Sequence, residues 1–280
     1  SSAASDVYKR QVTSEVFDNR SVPNVTQALQ GSIPNLNIQI TDGKPTRTAS
    51  YNVRGTTSIG QGGDALVLID GVEGDPSTLN PNDIASVSVL KDAASAAIYG
   101  ARGANGVIMV TTKKGTEGKA KVAYSTYGSV SSLPKQYPML SASQYRSFAS
   151  EKGIEIEDKG ANTNWQDEIF RTAFSHNHNL SISGGMKNGS YRASLGFQDQ
   201  EGIVNRTGMK KYTGRFYVSQ KTLNNRLNIE ASITATRTND QRVPLGESGG
   251  FEGDVLLSAL KVNPTYPVYN EDGSYFQKSK

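Results

Sequence analysis

Between residues 180 and 236 this 280-residue chain alternates apolar and polar side chains through stretch after stretch, and that period of two constrains its fold more than any other feature. Leu180, Ile182, Gly184 and Met186 stand on one parity, with Ser181, Ser183 and Gly185 on the other. Tyr191, Ala193, Leu195 and Phe197 oppose Arg192, Ser194, Gly196 and Gln198. Tyr212, Gly214, Phe216 and Val218 oppose Thr213, Arg215, Tyr217 and Ser219. Leu227, Ile229, Ala231, Ile233 and Ala235 oppose Asn228, Glu230, Ser232, Thr234 and Thr236. Side chains of a strand point alternately to its two faces, so each stretch is a strand with one apolar and one polar side. Each is about long enough to cross a bilayer at a tilt, and the polar side includes Arg and Glu that need water or partners.

A soluble antiparallel sheet carries the same alternation, so the connections must discriminate. Residues 187–190 contain Asn188-Gly189, a type I′ hairpin signal, and 223–225 form a second short link. The connections at 199–210, from 239 onward and at 133–177 are long, and the last holds predicted helices at 143–152 and 165–172. Short and long connections thus alternate. A barrel with tight turns on one rim and long loops on the other requires that rhythm, whereas a Greek-key sandwich does not.

Upstream, residues 22–115 read as a small α+β domain. Strands are predicted at 36–40, 50–54, 65–70, 87–90 and 106–112. A short helix follows the Asn24 cap over 25–30, and another runs from the Asp92 cap over 93–99 to Gly100. Residues 1–11 (SSAASDVYKRQ) show neither strand alternation nor an apolar export core. They resemble a translated sequencing adapter and are set aside as a non-native leader.

Composition narrows the function classes. The apolar share is 35% and mean hydropathy is -0.50, low for a large dry core, yet 13 Tyr, 8 Phe and 28 Gly argue for strands and turns rather than disorder. Thirty Lys and Arg against 26 Asp and Glu give a net charge of +4, scattered rather than striped, which leaves nucleic-acid binding little to stand on. With no Cys there is neither disulfide framework nor thiolate chemistry. No apolar run is long enough for a transmembrane helix, a test blind to barrels.

Four segments in order carry a resemblance: NVTQALQG at 24–31, VRGTTS at 53–58, LVLIDGV at 66–72, and NPNDIASVSVLKDAASAAIYGARGANGVIMVTTKKG at 80–115. Together they resemble the plug domain of TonB-dependent outer-membrane transporters of the SusC/RagA-like branch found in Bacteroidetes. The resemblance continues through HNLSISGG at 178–185 and YRASLGFQDQEGIV at 191–204, so that it covers about 22 to 240. It implies an α+β plug domain (12–115) followed by antiparallel transmembrane β-barrel strands with long extracellular loops (116–280), about five strands of about 22. It further implies TonB-driven import of a glycan oligosaccharide or peptide across the Gram-negative outer membrane, under a SusD-like lipoprotein lid. TonB would pull on a segment upstream of Val12 that is expected to be missing here. No cofactor, metal or catalytic residue is implied.

Within the plug, Gly100, Gly103 and Gly106 around Arg102 suit a tight return needing positive φ, and Asp70-Gly71 reads as a turn. Arg54, beside Gly55, and Arg102 are forked donors suited to carboxylates on an inner barrel wall, with a local ion pair as the alternative. Parity turns Tyr191, Phe197, Tyr212 and Phe216 outward as an aromatic girdle facing lipid. Tyr217 and Arg215 face the lumen as candidate substrate contacts. Tyr124 and Tyr127 fit either a girdle or a glycan-stacking platform.

Rival chemistries find no set of residues. Gly60–Gly63 and Gly100–Gly106 fit neither dinucleotide nor P-loop spacing. His176 and His178 read as solvated loop residues, without a third metal ligand. Asp70, Asp75, Asp83 and Asp92 each have a turn or cap to make, which leaves no acid–base pair for an enzyme. A soluble secreted β-rich binding or adhesion module is the alternative from another class. A signalling member of the same family, with an extra upstream domain, is the alternative within it.

Overall fold

The computed structural model describes residues 9–13, 37–39, 50–52, 65–90, 97–103, 105–244 and 254–277. Arg54, Gly55, Asp92 and the helix predicted at 25–30 lie outside these residues, as does most of the helix predicted at 93–99. Two compact units divide the chain: 1–129, 174–200 and 208–240 form one, and 130–173, 201–207 and 241–280 the other.

The first unit begins with a mixed five-stranded sheet. Its strands are β1 (Lys9–Thr13), β4 (Leu66–Ile69), β5 (Val72–Glu73), β6 (Ile84–Leu90) and β7 (Val107–Thr112), in the order β1-β6-β7-β4-β5. β2 (Asn37–Gln39) and β3 (Ser50–Asn52) pair separately. Central strands of a sheet covered on both faces lose their alternation, and β6 and β7 do so: Ile84, Val87, Val89, Val107, Ile108 and Val110 are all buried. β1 pairs antiparallel with β6, Lys9 opposite Leu90 through Thr13 opposite Ser86, so residues 9–11 of the segment set aside as a leader stand in a backbone ladder. Their residue types gave no alternation because what holds them is the backbone ladder of β6.

Turns follow local chemistry closely. Asp70 and Gly71 adopt φ of 49° and 91°, the left-handed pair of a type I′ hairpin between β4 and β5. Pro76–Thr78 and Pro81–Asp83 are single 3₁₀ turns capped by Asp75 and Asn80, each accepting a backbone N–H two residues on. Gly100 (φ 63°) kinks the 3₁₀ stretch Ala97–Gly103, and Gly106 (φ 100°) starts the return into β7, bonding through its N–H to the Gly103 carbonyl.

Beyond the loop 113–117 the same unit holds a second, antiparallel sheet. β8 (Gly118–Ser131), β9 (Ala173–Met186), β10 (Gly189–Glu201), β11 (Gly208–Thr222) and β12 (Leu227–Gln241) run 13 to 15 residues each, every strand beside its predecessor in sequence. Among the described residues this sheet does not close. The β9–β10 link is the expected two residues, Lys187 and Asn188, but neither has positive φ, so the turn is not type I′. Register explains it: Gly189 already sits in β10 opposite Met186, one place beyond the central positions where Asn-Gly would act. Leu223, Asn224 and Asn225 instead make the β11–β12 turn in left-handed conformation.

The second unit gathers the long connections. α1 (Ala142–Lys152) opens on a Ser141–Gln144 capping box and ends at Gly153 in the left-handed region. α2 (Trp165–Ile169) is shorter than predicted, because Phe170 leaves the helix to bridge Val204 and the Arg171 N–H bonds the Ile203 carbonyl. α3 is Val255–Lys261, capped by Asp254. Arg146 on α1 grips Asp158 with two nitrogens, at 2.5 and 2.9 Å.

That guanidinium, with the Gly160 backbone N–H, holds the Asp158 carboxyl down at about 2. A carboxyl whose folded value lies below its unfolded value of ~3.9 adds stability above that pH and loses it as pH falls through the folded value. The clasp is expected to weaken below about pH 4 and to open as pH falls through about 2. Amide exchange at Gly160 reads this directly, and protection unchanged at about pH 1 would contradict it.

Candidate functional site: the seam between plug and wall

On β9, β10 and β11 of the second sheet the usual burial rule is inverted, with polar side chains buried and large apolar ones exposed. Asn177, Asn179, Ser181, Ser194, Gln198, Lys211 and Arg215 are buried, while Leu180, Ile182, Leu195 and Phe216 on the opposite parity are exposed. The buried face lies against the first sheet's turns and strand ends, and the contacts between them are polar.

Three clusters make the seam. Asp83, at the end of its 3₁₀ turn, accepts from Arg192 Nη2 at 3.1 Å and Ser194 Oγ at 2.7 Å. Asn80, which caps that turn, donates to Asn179 Oδ1 at 2.9 Å, and Gly196 on β10 leaves the space its side chain occupies. Nearby, Lys211 donates to the carbonyls of Ser77 and of Leu79, the latter at 3.0 Å, and Thr236 Oγ1 donates to the Thr78 carbonyl at 2.7 Å. The second cluster is centred on Asp70, whose carboxylate accepts from the Thr112 N–H and hydroxyl at 2.9 and 2.6 Å and from Arg215 Nη2 at 2.9 Å. Arg215 also reaches Thr234 Oγ1 at 2.6 Å. In the third, Lys114 meets Glu230 at 2.6 Å and lies 5.4 Å above the Tyr217 ring; that carboxylate holds the Lys114 ammonium above its ordinary range. A Cβ on Gly115 would overlap the backbone of Tyr191, so the chain leaving the plug runs flat against β10.

Several expected site residues therefore take other places. Arg215 and Tyr217, expected as substrate contacts, are 8% and 5% exposed beneath the plug, because the inward parity that points them at the lumen also points them at what fills it. Arg102 pairs with Glu73 inside the plug, both side chains largely exposed, which is the local ion pair named as the alternative to latching. Asp83, Asn80, Lys211 and Arg192 escaped selection. Asp83 and Asn80 were accounted for by their turn, although the parity of Arg192 and Arg215 already called for inward carboxylates.

On the outer face Phe197 and Tyr212 pack at 5.0 Å between ring centroids. His176 and His178 join this cluster within β9, at 5.6 and 6.4 Å from Phe197, and are not the solvated loop residues expected. Tyr124 bonds His178 Nδ1 at 2.6 Å and so belongs to this belt.

The TonB-dependent Receptor Plug Domain family matches residues 2–107. The chain is 36% identical over 266 residues to the TonB-dependent receptor SusC of Bacteroides thetaiotaomicron, covering 90% of this chain and 26% of that protein. It is also 36% identical over 260 residues to the TonB-dependent receptor P3 of Formosa agariphila, covering 89% and 25%. The chain thus spans about a quarter of the length of these curated relatives. The RagAB peptide importer in its open-open state superposes with a TM-score of 0.83 at 26% identity, over 96% of this chain and 34% of that one. The siderophore receptor PirA of Acinetobacter baumannii shares the fold at TM-score 0.60 and 17% identity. A plug sheet latched to the polar face of a strand meander, with these relatives, makes the chain a member of the SusC/RagA-like family of TonB-dependent receptors.

Proposed function

We propose that the protein to which this chain belongs imports a nutrient, a glycan oligosaccharide or a peptide, across the Gram-negative outer membrane, powered through TonB. One observation carries the reading: the central long strands β9, β10 and β11 bury their polar face on the plug and turn their apolar face outward, an arrangement that suits lipid outside and a wet, stoppered lumen inside. The outer membrane is the location that follows, with its lipid against the aromatic belt. A SusD-like lipoprotein over the outer loops is the proposed partner, and the RagAB importer is the supporting analogy. Arg54, Gly55, Asp70, Gly71, Gly100, Arg102, Gly103 and Gly106 are assigned to plug architecture, and Asp70 among them to latching. Because the latches are ion pairs and hydrogen bonds, the plug can part from the wall without baring an apolar surface, which suits a gate pulled open by TonB.

The test is uptake of labelled oligosaccharides and peptides by cells expressing the full-length protein, with and without TonB. Uptake of at least one class is expected to require TonB. Uptake that persists undiminished without TonB would sink the proposal. A soluble module predicts the protein in the aqueous fraction instead.

A further inference from the structure

The outward parity of β12 carries Leu227, Ile229, Ala231, Ile233 and Ala235 and then, still within the strand, Arg237. Arg237 is exposed, and among the described residues no carboxylate or carbonyl pairs with it. A charge on a lipid-facing strand costs most at the bilayer midplane and little near the interface, where a headgroup can meet it. We propose that Arg237 stands at the head of a binding site for one phosphate-bearing lipid, whose acyl chain lies in the adjoining groove on the outer face of β9 to β12. That site rests on the import reading only in that this face meets a bilayer.

The sheet puts cation and groove together. Arg215 Nη1 donates to Thr234 Oγ1 at 2.6 Å, which sets β11 against β12, and Gly214, Phe216, Ile233 and Ala235 on the outward parity line one groove. One step further along that parity, Arg237 follows Ala235 and Tyr212 precedes Gly214, so guanidinium and phenol stand at the same end of the groove. At this end the strands pass into the long connections, the extracellular side of a barrel. Tyr212 is braced on Phe197 at 5.0 Å between ring centroids. Asp199, the nearby carboxylate on this parity, is matched by Lys210 at 3.0 Å and so does not cancel the charge of Arg237.

The groove holds about 600 Å³, within the range of small-molecule sites. Its outward side chains, among them Val122, Leu180, Leu195 and Ile233, are all apolar, and Ala193 and Gly214 leave room between them. A Cβ on Gly214 would meet only Leu195 Cδ2, at 3.7 Å. A trench touches an acyl chain on several sides where a flat face touches it on one, and dispersion grows with the number of contacts. A guanidinium in turn grips a phosphate through two parallel N–H bonds. An acidic protein segment would satisfy Arg237 and leave the groove uncovered. An uncharged lipid would fill the groove and leave Arg237 unpaired. A phosphate-bearing lipid does both.

The experiment titrates the full-length protein in detergent with phosphatidylglycerol, with diacylglycerol of the same chains and with glycerol phosphate, and counts retained lipid by native mass spectrometry. Phosphatidylglycerol is expected to saturate a site at least about tenfold more tightly than diacylglycerol. Arg237→Gln is expected to erase that margin. Gly214→Leu, which fills the groove and keeps the face apolar, is expected to weaken phosphatidylglycerol at least about tenfold, and Gly214→Ala by less than about threefold. Arg237→Gln removes no packed group, so its comparison with wild type decides the matter even if Gly214→Leu fails to assemble. Equal retention of the two lipids by wild type, an undiminished margin in Arg237→Gln, or full retention by an assembled Gly214→Leu protein would each overturn the site. Displacement by glycerol phosphate at the lipid's own concentration would overturn it too, by showing a bare anion site. Failure of the import reading registers elsewhere, as TonB-independent uptake or as protein in the aqueous fraction.

Discussion

Replacing Leu195 with arginine is expected to abolish assembly of the full-length protein into the outer membrane. Leu195 is the middle residue of β10, sits opposite Leu180 on β9, and is 65% exposed on the apolar face. Its neighbour Ser194 turns the other way and is buried on Asp83. On a lipid-facing position near the bilayer midplane an arginine costs ~2–4 kcal/mol, comparable to much of a domain's net stability. Leu195→Phe, which keeps the face apolar, is expected to assemble normally. Heat-modifiable mobility on gels and protease protection of the membrane fraction report the outcome. If Leu195→Arg assembles as wild type does, the outward face does not meet lipid. A soluble sheet would gain solubility from the same change, so the two readings predict opposite signs.

Much of this fold was legible because strands record their surroundings in alternation. The parity of Leu180 against Ser181, or Leu195 against Ser194, gave both faces of the second sheet correctly, and Asp70-Gly71 gave its own turn, since those signals live within a few residues. What was not legible depends on partners far away in sequence. Asp83 and Asn80 have full local explanations in their 3₁₀ turn, and nothing nearby says that Ser194 and Asn179 complete them. β1 resisted reading for the same reason: Lys9, Arg10 and Gln11 are held by a backbone ladder to β6, and ladders tolerate most side chains. The Lys187–Asn188 turn failed through register, where a shift of one residue moved Gly189 out of the position its type predicts. Arg215 and Tyr217 show the remaining limit. Parity gives the direction in which a side chain points, and the plug's path decides whether cargo or protein stands there.

Among the seam contacts Asp83 carries the largest expected effect on gating. Its side chain is 3% exposed, Arg192 opposite it 12%, and the Arg192 Nε has no hydrogen-bond partner, so the pair is deeply desolvated. Removing one member of a buried pair leaves the other charge stranded, at a cost of ~3–5 kcal/mol, whereas exposed pairs such as Arg102–Glu73 contribute ~0–1 kcal/mol. Asp83→Ala is therefore expected to shift the balance between docked and undocked plug by between about a hundred and several thousand fold. In cells the shift should appear as TonB-independent entry of large antibiotics and as protease sensitivity of the plug. Replacing both partners, Asp83→Leu with Arg192→Leu, removes the stranded charge and is expected to restore most of the docking, a coupling that a double-mutant cycle measures. Asp83→Asn, which keeps an acceptor for Ser194, should lie between wild type and Asp83→Ala. Loss of plug folding would instead leave the double variant as leaky as the single one, because Ile84 and Val87 beside this turn would already have lost their packing. Recovery in the double variant thus assigns the defect to the seam, and an Asp83→Ala protein that stays sealed would remove Asp83 from the latch.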